Sequence, residues 1–258
     1  MTQIRDPAVA GSFYPQEPIA LQQQLDGFLS QKPRLETKPK ALIVPHAGYI
    51  YSGSVAASAY TQLIPIREQI QRVVLLGPAH RVGFRGLAAS SAEYFSTPLG
   101  LVRIDREALD EILLLPQVRE FDHAHLEEHS LEVQLPFLQA VLKKDFGLIP
   151  LVVGESAAAE VAEVIERLWG GDETLFVISS DLSHYNAYEV ARQQDKKTSD
   201  AILHHVIRVD AGAEVTVLGT AAADEVAFTA APSGTTAGSW EKSASNWQTR
   251  RQSRCNTN

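Results

Sequence analysis

Short runs of Val, Ile and Leu alternate with longer mixed segments from about residue 41 to residue 207. The runs at 41–45 (ALIVP), 73–77 (VVLLG), 148–154 (LIPLVVG) and 174–180 (TLFVISS) are nearly continuous in apolar residues and bounded by turn formers. That pattern predicts strands buried on both faces of a sheet. GLAAS from Gly86 and LVRI from Leu101 predict shorter strands. The segments between them have helical spacing. Leu21, Leu25 and Phe28 follow Pro18, a residue suited to a helix start. A stretch rich in small residues begins at Ser52 and suits close packing on a sheet. EALDEILLL from Glu107, AAAEVAEVIERLW from Ala157 and the segment from Glu189 predict further helices. Between Leu126 and Lys144, Leu131, Leu135, Leu138 and Leu142 fall on one helical face, which predicts a helix that Pro136 kinks or reorganises. The alternation predicts an α/β fold with a central, mostly parallel sheet flanked by helices. Residues 1–17 read as an extended, proline-bearing lead-in.

The pattern then stops. Residues 211–228 are apolar in places but give no clear element, and residues 229–258 contain no Leu, Ile, Val, Phe, Tyr or Met. Such a stretch buries too little apolar surface to offset its ordering entropy. The expected organisation is therefore one α/β domain over residues 1–228 and an irregular, disordered tail over 229–258 that adds no core strand.

Three of the apolar runs end within a few residues of a histidine: His46 in ALIVPHAG, His80 in VVLLGPAH and His184 in FVISSDLSH. Ligands of open α/β sheets bind beyond the carboxyl ends of the strands. Imidazole is the commonest protein metal ligand and the usual proton carrier near neutral pH. His46, His80 and His184 are therefore expected to converge on one polar site. Asp181 stands three residues before His184 and could orient an imidazole or take its proton. His129 and Glu132 are three apart on the expected helix and could share a face. Tyr49 and Tyr51 could line a pocket but are expected to pack as core aromatics, His123 and His125 to lie in a polar loop, and His204 and His205 to sit at the surface or a helix end. Neither a phosphate-binding glycine loop nor a GxSxG nucleophile elbow occurs.

Charge and composition narrow the class. The formal net charge of −8 argues against nucleic acid or an anionic membrane as partner. No apolar run reaches the ~18 residues of a membrane span, and the first residues show no secretory signal. Cys255 is the only cysteine, so no internal disulfide forms. These features fit a cytoplasmic protein.

RDPAVAGSFYP, ALIVPHAGYIYSG, VVLLGPAH, EEHSLEVQLPFL and SSDLSHY occur in this order across residues 4–207. Together they resemble the Memo family, whose bacterial and archaeal members are also called AmmeMemoRadiSam system protein B. The resemblance implies a fold like the class III extradiol dioxygenases, with a non-haem metal at a cleft. It implies that His46 and His80 bind metal, that His184 serves as acid/base, and that Asp181 and His129 act in catalysis beside them. It implies Fe(II) as cofactor, with Cu or Zn as alternatives. The partner would be a small molecule or a peptide, with a radical-SAM enzyme as a candidate companion. The activity implied is metal-dependent redox or dioxygenase-like chemistry; the alternative is a peptide-binding scaffold that keeps the cleft without turnover. The family's third ligand is a cysteine in a C-terminal Cys-Gly pair. Here Cys255 is followed by Asn256, and the family's Gly-Tyr strand has no counterpart. The text after residues 208–230 reads like translation in a shifted frame, which leaves the third ligand open, with Glu132, Asp181 or water to fill it.

Overall fold

A computed structural model describes residues 2–30, 38–143 and 145–209, and the backbone of two further strands at 215–218 and 225–229. In chain order the elements are β1 (Ile4–Arg5), α1 (Pro18–Phe28), β2 (Pro39–Val44), α2 (Tyr49–Tyr60), β3 (Arg72–Pro78), β4 (Leu87–Ala89), β5 (Tyr94–Thr97) and β6 (Gly100–Arg103). There follow α3 (Arg106–Ile112), β7 (Val118–Glu120), α4 (His123–Leu126), α5 (Leu135–Leu142), β8 (Gly147–Val153), α6 (Ala158–Arg167), β9 (Thr174–Ser179), α7 (Tyr188–Val209), β10 (Val215–Leu218) and β11 (Glu225–Thr229).

The main sheet has the order β10-β11-β2-β9-β3-β8-β4-β7. Its centre, β2-β9-β3-β8, is parallel throughout. These are the four long apolar runs, buried on both faces as their composition requires. Antiparallel pairs flank that centre on both sides, at β11–β2 and at β4–β8. A small second sheet, β1-β5-β6, ties the lead-in to the body. The fold is thus α/β with sheets flanked by helices, consistent with the extradiol dioxygenase-like arrangement. Helix packing is close where side chains are small. A Cβ on Gly53 would lie 2.6 Å from the Phe28 ring, so this glycine lets α2 approach α1. Among the described residues no helix is long and apolar enough to cross a membrane.

Three expectations are corrected. The helix predicted across 126–144 does not exist as one element. A 3-10 turn spans Glu132–Gln134, and α5 starts at Leu135 with Pro136 in its first turn. Proline has no N–H to donate and would clash with the carbonyl four residues back, so it opens this helix instead of kinking it. The FDHAH loop is a short helix, α4, and His125 on it is buried. Residues 211–228, left without an element, supply β10 and most of β11, which extend the sheet past β2. The rest of the expected tail, with Cys255, lies outside the described residues, as do the side chains of His204 and His205.

Candidate metal centre

The site follows from strand order. β2, β9 and β3 are neighbours, so their carboxyl ends lie side by side at about 4.8 Å spacing. His46 stands two residues beyond β2, Asp181 two beyond β9 and His80 two beyond β3. His129 arrives from the connection between α4 and α5. Gly77 permits this, since a Cβ there would lie 2.8 Å from both Leu131 and Ser130 side-chain atoms. The rings of His46 and His80 have centroids 5.1 Å apart, His46 and His129 5.6 Å, and His80 and His129 4.5 Å. One nitrogen from each of His46, His80 and His129 lies within 4.8 Å of the others. Three imidazoles so placed form a group that could hold a metal ion.

Two carboxylates, Glu128 buried and Asp181 partly buried, anchor the two strand-end histidines through their backbone N–H groups. Asp181 Oδ1 accepts from the backbone N–H of His46 at 2.5 Å and of Ala47 at 3.1 Å, while its Oδ2 lies 3.5 Å from His46 Nε2. Glu128 Oε2 accepts from the His80 N–H at 2.5 Å, and its Oε1 lies 2.7 Å from His80 Nδ1. Glu128 Oε1 also accepts from the N–H groups of His129 at 3.0 Å and Ser130 at 2.9 Å. Burial pushes the Glu128 carboxyl up, but the His80 ring and these N–H donors outweigh it and hold the group at about 2. Burial likewise raises Asp181, and bonding from His184 with attraction to His46 brings it down to about 2. Both therefore carry full negative charge at neutral pH.

The histidines move the other way. Burial lowers His46 to about 3 despite the attraction of Asp181. Burial and the nearby His80 ring also lower His129. Neutral rings beside ionised carboxylates suit metal ligation, because a ligating nitrogen must carry a lone pair. His46 Nε2 and His129 Nδ1 are buried without a hydrogen-bond partner.

His184, expected to join His46 and His80, stands beside Asp181 and outside the three-histidine group. His184 Nε2 lies 3.5 Å from Asp181 Oδ2, so His184 and His46 meet at the same carboxylate oxygen. The His184 side chain is 37% exposed, which lets it exchange protons with an incoming molecule. Tyr49 is buried with its hydroxyl donating to Val133 O, whereas Tyr51 is exposed and packs no core. Glu132 is not a spare ligand and shares no helix with His129. It is fully buried and accepts from Arg5, from the N–H groups of Ala8 at 2.7 Å and Val9 at 2.9 Å, and from Tyr14 OH at 2.5 Å. Sequence reasoning did not find Glu128, Ser179, Gln134 or Arg5. Their shared signal was weak: polar residues beside apolar ones in segments that otherwise read as core.

His125 carries a separate consequence. Burial lowers its ring to about 4, although its Nε2 bonds Ala88 O at 3.0 Å. The unfolded chain binds a proton at an ordinary histidine value of about 6.5, so between there and 4 the unfolded state holds more protons. Stability from this group is complete above the higher value and is lost as pH falls through the window. We expect the unfolding free energy to drop by on the order of 2–3 kcal/mol from this residue between about pH 7 and pH 4.5. Urea midpoints across that window check it. A His125→Gln variant should flatten the slope by about one proton, and an unchanged slope contradicts the assignment.

The sequence profile of the Memo-like protein family matches residues 5–218. A MEMO1 family protein of Aquifex aeolicus is 43% identical over 197 residues, covering 75% of this chain and 72% of that one. A MEMO1 family protein of Methanosarcina barkeri is 37% identical over 207 residues, covering 78% and 76%. One from Sulfolobus acidocaldarius is 36% identical over 217 residues, covering 77% and 76%. The profile reaches 218, so the likeness runs through β10, beyond the limit near 207 drawn from motifs.

Proposed function

We propose, from the premise that this chain belongs to the Memo family, that His46, His80 and His129 hold a divalent metal and that the site carries out redox or dioxygenase-like chemistry on a small molecule. The observation that carries the reading is His46 Nε2. It is buried, has no hydrogen-bond partner, and faces Asp181 Oδ2 at 3.5 Å. With the ring hydrogen on Nδ1, which lies 3.0 Å from Ser179 Oγ, His46 Nε2 and the ionised Asp181 oxygen are two acceptors in contact, an arrangement that a cation relieves. Protonation is the other relief, and burial disfavours it at neutral pH.

The donor set fits the expected ions. Imidazole nitrogens bind Fe, Cu and Zn alike, and none of these residues selects among them. Fe(II) is the ion we favour, since a three-residue ligand set leaves positions at which substrate and O2 can be activated. The protein's own residues supply the rest. Glu128 and Asp181 orient His80 and His46. His184, half in solvent and paired with Asp181, takes or delivers a proton at Nε2. In this reading His129 completes the ligand set that the family's cysteine would otherwise fill.

Oxygen uptake by anaerobically purified, Fe(II)-loaded protein tests the activity. We expect uptake faster than that of the same Fe(II) free in buffer. His184→Gln should keep the metal and slow uptake by about 100-fold or more. Equal uptake by wild type, His184→Gln and free metal would remove the redox reading. A non-catalytic binding role would then stand, favoured by the exposed Tyr51, Tyr185 and Tyr188 in the two segments that carry His46 and His184.

A further inference from the structure

The hydroxyl of Ser179, the last residue of β9, is buried and contacts three groups, two of which have fixed donor or acceptor roles. It lies 2.5 Å from Ser130 O, 2.8 Å from Gln134 Nε2 and 3.0 Å from His46 Nδ1. A backbone carbonyl only accepts, so the single Ser179 proton goes to Ser130 O. The orientation of the Gln134 amide is set independently, because its Nε2 donates to Pro45 O at 2.8 Å and its Oε1 accepts from Tyr60 OH at 2.9 Å. One Gln134 N–H is then left, and it points at Ser179 Oγ. Ser179 has given its only proton and accepted one. What remains is a lone pair facing His46 Nδ1, which must therefore carry the hydrogen.

We propose that Ser179 is a positioning residue that selects the Nδ1–H tautomer of His46, so that the lone pair of the ring sits on Nε2 and faces His80 and His129. The selection rests on proton counting in a closed network and not on a single contact. Tyr60, Gln134, Ser130 and Pro45 hold the serine, and the serine holds the ring. Glu128 achieves the same for His80 by a different route, since a carboxylate at 2.7 Å from Nδ1 accepts only. The two strand-end histidines thus present the same nitrogen to the site, one set by a hydroxyl and one by a carboxylate. Without Ser179 the neutral His46 ring is free to move its hydrogen to Nε2 and bond Asp181 Oδ2, which would occupy the nitrogen a metal needs.

The metal-related part of this inference rests on the reading of the site given above; the tautomer part does not. Nitrogen NMR of the metal-free protein, labelled at histidine and assigned with His46→Gln, reads the tautomer directly. Wild type should show Nδ1 protonated and Nε2 bare. Ser179→Ala should shift the ring toward Nε2–H and weaken Zn2+ affinity by about 10- to 100-fold. Ser179→Thr keeps the hydroxyl and should retain both properties, with thermal melts confirming that each variant is folded. A wild-type ring protonated at Nε2 overturns the proposal with no variant needed. So does an unchanged Nδ1–H tautomer in folded Ser179→Ala. Wild type that is Nδ1–H yet fails to bind Zn2+ would remove the metal reading while leaving the tautomer lock in place.

Discussion

Replacing Arg5 with alanine is expected to cost the fold about 3–5 kcal/mol. Arg5 is buried and paired with Glu132, which has no exposed surface. The guanidinium also donates to His125 O from Nε at 3.1 Å and Nη2 at 2.9 Å, and to Glu128 O at 2.7 Å. Removing it strands a buried carboxylate and leaves two buried carbonyls short of donors. Both effects fall on the segment that carries Glu128 and His129. Urea unfolding at neutral pH measures the loss. The double variant Arg5→Ala/Glu132→Gln should recover part of it, because the stranded charge is gone. A loss below about 1 kcal/mol in the single variant would show that the pair is not the buckle joining the lead-in to the site.

The second large effect concerns the metal. An ion that binds the folded chain alone, at 100 times its dissociation constant, adds about 2.7 kcal/mol to stability. For a domain of this size that corresponds to a rise in Tm of roughly 5–10 °C. Zn2+ is a suitable probe because it has no redox chemistry to confound the scan. The rise should vanish in His46→Ala/His80→Ala and shrink in His129→Ala. An equal rise in the double variant would place the ion elsewhere.

The architecture was readable where periodicity and burial coincide. β2, β3, β8 and β9 are near-continuous apolar runs, and a strand buried on both faces has no other pattern to show. Their histidines were readable because a parallel sheet puts its carboxyl ends together, and the sheet order makes β2, β9 and β3 adjacent. The segment 126–144 was misread for a physical reason. Its leucines keep helical spacing, but Glu128, Ser130, Glu132 and Gln134 are all buried and find partners far along the chain, at His80, Pro78, Arg5, Tyr14, Ser179 and Pro45. Local pattern carries no record of such partners. Pro136 was the one local sign that the helix is reorganised, and it opens α5. Glu128 gave no signal because a Glu next to another Glu is the ordinary look of a helix surface. His129 was recognised as near the site, but its closeness to His46 and His80 emerges only once the connection folds over Gly77. β5 and β7 are too short and too mixed in composition to stand out.

X-ray diffraction from metal-soaked crystals, collected on both sides of the metal's absorption edge, tests the central claim most directly. We expect one strong anomalous peak about 2.0–2.2 Å from Nε2 of His46, Nε2 of His80 and a ring nitrogen of His129. A metal-saturated protein whose anomalous peak lies away from these three rings would contradict it.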